Sequence, residues 1–220
     1  MILPYPVLFE PEPNCQLCPR LSDFRNKWRS EEPGWFNAPV PSFGNLDAQL
    51  LIVGLAPGRR GANRTGRPFT GDFAGDLLYA TLQKFDFSRG EYLKSCQDKL
   101  TLVNCRITNA VRCVPPQNKP TGPEIANCRD FLFREITAMP NLRCILALGS
   151  LSHNAILTAL GQKRSNYKFS HAEFYNLTDD LVLADSYHCS RYNTNTRRLS
   201  TEMFELVFEK IRNLIKTKPV

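Results

Sequence analysis

From residue 48 onward the chain alternates between two hydrophobic patterns. AQLLIVGLA (48–56) is a nearly continuous apolar run, the pattern of a strand covered on both faces, and FAGDLLYATLQKF (73–85) returns apolar residues every three or four positions, the period of an amphipathic helix. The alternation then repeats. LTLVNCRITNAV (100–111), RCILALG (143–149) and LVLADSYH (181–188) read as strands. GPEIANCRDFLFREITAM (122–139), SLSHNAILTAL (150–160) and LSTEMFELVFEKIRNLIK (199–216) read as helices. Thr121 and Glu124 have the spacing of a capping box for the first of these helices, and Ser150 is placed to cap the second. Strands alternating with helices predict an α/β fold, a three-layer α/β/α sandwich around a mainly parallel four-stranded sheet. Residues 1–47 are rich in proline and aromatic residues and carry one short helical stretch, LSDFRNKWRS. They are expected to wrap the sheet within a single domain spanning 1–220.

In such a sheet, ligands bind beyond the carboxyl ends of the strands. That rule picks out the loops GLAPGRRGANRTGRPFTGD (54–72), ITNAVRCVPP (107–116), GSLSHN (149–154) and YHCSRYNTNT (187–196). The first, second and fourth are dense in unusual polar residues and open at one end of the sheet. The first has the glycines and arginines of a phosphate loop but lacks its G-K-[ST] ending, and it keeps a large apolar residue, Phe69, and a carboxylate, Asp72.

The chain of 220 residues holds 28 Lys and Arg against 21 Asp and Glu, a net charge of +7. A polyanionic partner, most simply nucleic acid, fits that balance. No apolar run reaches the roughly 18 residues that a membrane span requires. The start, MILPYPVLFEPEPNC, lacks the basic-then-apolar layout of a secretory signal, so an intracellular, cytoplasmic protein is expected.

Eight cysteines are many for such a chain. Cys105 and Cys144 lie in strand-like runs and read as buried small hydrophobes, and Cys96 as an incidental helix residue. Cys15 and Cys18 form a C-x2-C pair, in which one tight turn aims two thiolates at one point. Cys113 and Cys128 supply a second, widely spaced pair. Four thiolates suit zinc as well as an iron–sulfur cluster; the prolines at 19 and 115, close after ligand candidates, favour [4Fe–4S].

The loop 54–72, ITNAVRCVPP with EIANC downstream, and HCSRYNTNT together resemble the three motifs of the uracil-DNA glycosylase superfamily, in family order. The NRTGRPFTGD stretch is most similar to the type B, or family 5, branch. The resemblance implies a DNA repair enzyme that flips a damaged base out of the duplex and hydrolyses its N-glycosidic bond, leaving an abasic site. Uracil is the expected base, with hypoxanthine and xanthine as further candidates. It implies a monomer on DNA, nucleoid-associated in a prokaryote, without catalytic metal. It also implies a structural [4Fe–4S] cluster on Cys15, Cys18, Cys113 and Cys128.

Residue by residue, Phe69 matches the aromatic that stacks on the flipped base, Asn109 the amide that reads its edge, and His188 the third-motif histidine that stabilises charge on O2. Ala56, also in the base pocket, stands where other branches place Asp or Asn. Asp72 is then the expected catalytic carboxylate, orienting water or stabilising positive charge on the sugar; its alternative is a helix cap. Arg191 and Tyr192 are expected to enter the minor groove, and Arg64, Arg67 and Asn193, with Asn195 and Thr196, to contact phosphates. The usual HPS is HCS here, so Cys189 replaces the ring that would stiffen the turn after His188. A catalytically silent binder of DNA or damaged bases with the same fold is the alternative.

Overall fold

β1 (Leu50–Gly54) is buried at all five positions, as are β4 (Cys105–Asn109), β5 (Cys144–Leu148) and β7 (Val182–Ser186). These four strands run parallel in the order β4–β1–β5–β7. The computed structural model describes residues 10–217; most of the stretch MILPYPVLFEPEPNC, residues 1–9, lies outside them.

The pleat sorts the apolar residues of each strand into two cores. Leu50, Ile52, Ile107 and Leu146 face one way, against Leu78 and Leu82 of α3 (Phe73–Lys84) and Phe204, Phe208 and Ile211 of α7 (Thr201–Thr217). Leu51, Val53, Ile145 and Leu183 face the other, against Leu132 and Ile136 of α4 (Gly122–Thr137) and Ala155 and Leu157 of α5 (Ser150–Ala159). Helices therefore cover both faces, the expected three layers. Each fully buried Leu, Ile or Phe contributes about 1.5–3 kcal/mol relative to exposure, so the continuously apolar strands account for much of the fold's stability.

The sheet has five strands rather than four. β6 (Phe174–Asn176) adds to β7 as an antiparallel edge; three half-covered residues carry too little periodicity to be seen in the sequence. The run 100–111 is interrupted by Asn104, held at φ +50°. Its carboxamide oxygen accepts a hydrogen bond from the Gln49 N–H at 2.8 Å. The residues before it form β3 (Thr101–Leu102), which pairs with β2 (Ser88–Arg89) in a separate two-stranded ribbon. Cys96 lies between β2 and β3 in a succession of turns, exposed and not on a helix.

Within residues 10–47 the chain forms α1 (Pro19–Glu31). Glu124 accepts from the Thr121 N–H at 2.7 Å, as the capping-box spacing predicts, and the same carboxylate takes both arms of Arg20 at 2.7 Å, fastening α1 to the start of α4. Ser150 is not a cap: Gly149, at φ +98°, takes that position, and Ser150 is the first helical residue. A buried carboxylate, Glu135, bridges Arg106 of β4 and Arg112 beyond it. Arg112 also donates to Ser42 at 2.6 Å, tying the wrap to the sheet.

Candidate active site

Gly54, Asn109 and His188 stand at or just beyond the carboxyl ends of β1, β4 and β7, and the loops leaving those strands enclose a cleft of about 440 Å³. Ala56, Phe69, Asp72, Asn109, His188 and Arg191 all line it.

Phe69 is 7% exposed and belongs to the larger core, yet one side of it forms the cleft wall. The same ring is thus both a core residue and part of the cleft lining. Its centroid lies 5.9 Å from the His188 imidazole. The glycines around it serve close approach. A Cβ on Gly54 would stand 2.4 Å from Asn109 Oδ1 and 2.7 Å from the Phe69 ring. A Cβ on Gly75 would collide with the Phe69 carbonyl at 1.8 Å.

Asn109 is 3% exposed, and among the described residues its side-chain amide makes no hydrogen bond within the protein. Buried polar groups are normally satisfied, so a donor and an acceptor left unpartnered at a cleft are available to a ligand. The His188 ring is likewise without a hydrogen-bond partner among the described residues. Desolvation pushes its pKa down to about 4, so it is neutral at pH 7. A neutral imidazole can donate to an atom that gains negative charge.

Asp72 caps α3, its Oδ1 accepting from the Gly75 N–H at 3.1 Å. The other oxygen faces the first loop closely enough that a Cβ on Gly61 would approach it to 2.4 Å. Burial raises its carboxyl above the usual carboxylate range. The cap and the cleft carboxylate are therefore one residue using two oxygens.

The last motif is a short helix, α6 (Arg191–Asn195), rather than an open loop, with Ser190 as its cap. Tyr192 is 71% exposed and Arg191 exposed beside the Phe73 ring, free to meet a macromolecule at the cleft mouth. Asn193 instead turns inward and donates from Nδ2 to the His188 carbonyl at 2.8 Å. It braces the histidine. Cys189 is fully buried, its thiol donating to the Ala74 carbonyl at 3.4 Å, so packing against α3 holds the turn that proline would have stiffened.

Arg64 is exposed on α2 (Ala62–Thr65). Arg67 is not available to phosphate. It is 5% exposed and bidentate on Asp98 at 2.6 and 2.8 Å, a role hidden from the sequence because its partner lies 31 residues away. Asn195 is exposed, and the Thr196 hydroxyl donates to the Tyr192 carbonyl at 2.8 Å. Three lining residues fall outside the loops expected to form the site: Phe73 and Ala74 at the start of α3, and Asn118, exposed at the rim with φ +56°. For Asn118 the only signal is its place before a lysine–proline pair in the loop leaving β4.

Cys18, Cys113 and Cys128 form a small cluster with Leu21 and Val111, against which Ala56 packs, and Cys15 lies at its edge. None of the cysteines is in a disulfide. Arg25 donates to Cys113 Sγ and Asn127 to Cys18 Sγ, both at 3.6 Å. Four sulfurs with N–H donors aimed at two of them fit the donor set of an iron–sulfur cluster. Among the described residues, no three His, Cys, Asp or Glu side chains close around a single metal ion. Burial pushes the Cys113 thiol up to about 12 and the Cys128 thiol up to about 11.

The parallel sheet thus carries an aromatic wall, an unpartnered amide and a neutral imidazole at its strand ends. The chain belongs to the Uracil DNA glycosylase superfamily, whose sequence model matches residues 41–212. Within it the chain falls in the type-5 branch. It is 42% identical over 211 residues to the type-5 uracil-DNA glycosylase of Thermus thermophilus, covering 91% of this chain and 93% of the relative. It is 40% identical to the type-5 enzyme of Pyrobaculum aerophilum, covering 86% and 84%, and 37% identical to that of Mycobacterium leprae, covering 91% of each.

Proposed function

We propose that this protein is a DNA repair glycosylase that hydrolyses the N-glycosidic bond of uracil in DNA and leaves an abasic site. The observation that carries the reading is the pair of unpartnered polar side chains, Asn109 and His188, facing a cleft walled by Phe69. A base reaches such a cleft only when flipped from the helix. Phe69 then stacks on it, and the Asn109 amide pairs with O4 and N3–H. As the N1–C1′ bond breaks, the bonding electrons pass to the pyrimidine ring, and neutral His188 donates to the O2 that gains charge. Water oriented by the Asp72 carboxylate adds to C1′ and gives up a proton that neutralises the departing uracil anion, and the same carboxylate faces the positive charge developing on the sugar. Arg191 and Tyr192 enter the minor groove and Arg64 meets phosphate, while Asn193 and Arg67 act from within the protein.

The small apolar side chain of Ala56 leaves that wall of the cleft without the polar group other branches place there, a more permissive surface that supports hypoxanthine and xanthine as further substrates. Release from duplexes carrying each base, alongside uracil, tests this; activity on uracil alone limits the enzyme to one base.

Cys15, Cys18, Cys113 and Cys128 would hold the [4Fe–4S] cluster, which when bound cross-links the wrap to the sheet. Because Ala56 packs on this group, the cluster would also support the first loop from behind. Protein purified without oxygen is expected to contain iron and acid-labile sulfide in equal amounts, and Cys128→Ser to lose both together with several degrees of melting temperature. Wild-type protein that is colourless, or that carries zinc alone, contradicts the cluster.

A further inference from the structure

Phe69 has φ +52°, a left-handed conformation that costs a non-glycine residue roughly 1–2 kcal/mol. Such a conformation persists only where its surroundings impose it. The restraint comes from behind the cleft. Tyr79 Oη donates to the Pro68 carbonyl at 2.7 Å. Tyr92 Oη donates to the Phe69 carbonyl and accepts from the Gly71 N–H, both at 3.2 Å. One hydroxyl thus joins the two ends of the turn that carries the aromatic wall and leads directly into Asp72. The two tyrosine rings stack at 4.4 Å. Arg67 completes the frame: its Nε donates to Thr70 at 2.8 Å, and its guanidinium lies 5.1 Å from the Phe43 ring centroid, 5.5 Å from that of Tyr79 and 5.9 Å from that of Tyr92. Asp98, which holds Arg67, also accepts from the N–H groups of Leu93 and Leu100 and so ties Tyr92's own loop into place.

We infer that Tyr92, which does not line the cleft, is a positioning residue for base excision, its hydroxyl fixing the Phe69–Gly71 turn and through it the stacking ring. The inference rests on the reading of Phe69 as the base-stacking wall. Tyr92→Phe removes the bridging hydroxyl and keeps the ring stacked on Tyr79. Single-turnover release of uracil from a duplex is expected to slow about tenfold, the worth of one buried neutral hydrogen bond, with DNA affinity unchanged.

The decisive arm is a double-mutant cycle with Phe69→Leu. If Tyr92 acts through the Phe69 ring, the double variant is no slower than Phe69→Leu alone. Fully multiplicative losses overturn the inference, as does a Tyr92→Phe enzyme with the wild-type rate, or one slowed only in proportion to unfolded protein seen by circular dichroism. A wild-type rate in Phe69→Leu instead removes the stacking reading itself, and the inference with it. Asp98→Asn, which keeps both tyrosines but weakens the Arg67 pair and the hold on the loop that carries Tyr92, is expected to slow release in the same direction and gives a second route if Tyr92→Phe folds poorly.

Discussion

Asp72→Asn slows uracil release by about 10²–10⁴-fold, the range lost when a positioned catalytic carboxylate is removed, and it leaves the melting temperature unchanged or higher. The two halves of this result separate the two uses of the residue. The carboxamide oxygen still accepts from the Gly75 N–H, so the cap on α3 survives. Burial raises the carboxyl pKa, meaning that the ionised group is less comfortable in the folded protein than in water. Neutralising it therefore relieves the fold while disabling the chemistry. Asp72→Ala loses the cap as well, costing about 1 kcal/mol, or some 2–4 °C in a domain of this size. Equal rates for wild type and Asp72→Asn in single-turnover assays show that the carboxylate has no part in catalysis.

His188→Ala slows the bond-breaking step by about 10²–10³-fold, as expected for removal of an oxyanion donor. It does so with little change in duplex affinity, because the ring meets the base only after flipping. The protonation state carries a second expectation. The ring's pKa of about 4 lies below the ordinary value of 6.5, so the unfolded chain binds a proton first as pH falls. The contribution of neutral His188 to stability is complete above about pH 6.5 and is lost as the pH falls towards 4. Imidazole resonances followed by NMR check this. The chain has three histidines. His153, held by the buried Asp185 carboxylate, titrates above the ordinary value, and His171 below it through desolvation. His188 remains neutral through pH 5; its titration near 6.5 contradicts a desolvated ring.

The architecture was legible where burial left a continuous apolar signature. β1, β5 and β7 are covered on both faces and announce themselves as runs. β6 has three half-buried residues and an antiparallel partner supplied by tertiary structure, so nothing local marks it. Asn104 splits an apparently single strand through one positive φ, which no periodicity encodes.

The site divides in the same way. Strand ends are implied by topology, so the convergence of Asn109 and His188 on the first loop followed from the order of elements. Side-chain direction did not. Arg67 and Asn193 carry the composition of a DNA-contacting surface, but Asp98 and the His188 carbonyl, distant or local partners set by the folded chain, turn them inward. Cys189 shows the opposite case: a departure from the usual motif that weakens the turn on paper is compensated by burial against Ala74.

The most direct test of the account is base release by the wild-type protein from a duplex with a single uracil opposite guanine, in EDTA, read as strand scission after alkali. A single alkali-labile break at the uracil is expected, abolished in the duplex with thymine at that position and nearly lost in Asp72→Asn. Folded, cluster-loaded protein that binds the uracil duplex and leaves it intact contradicts it, and would make this chain a binder of damaged DNA built on a glycosylase fold.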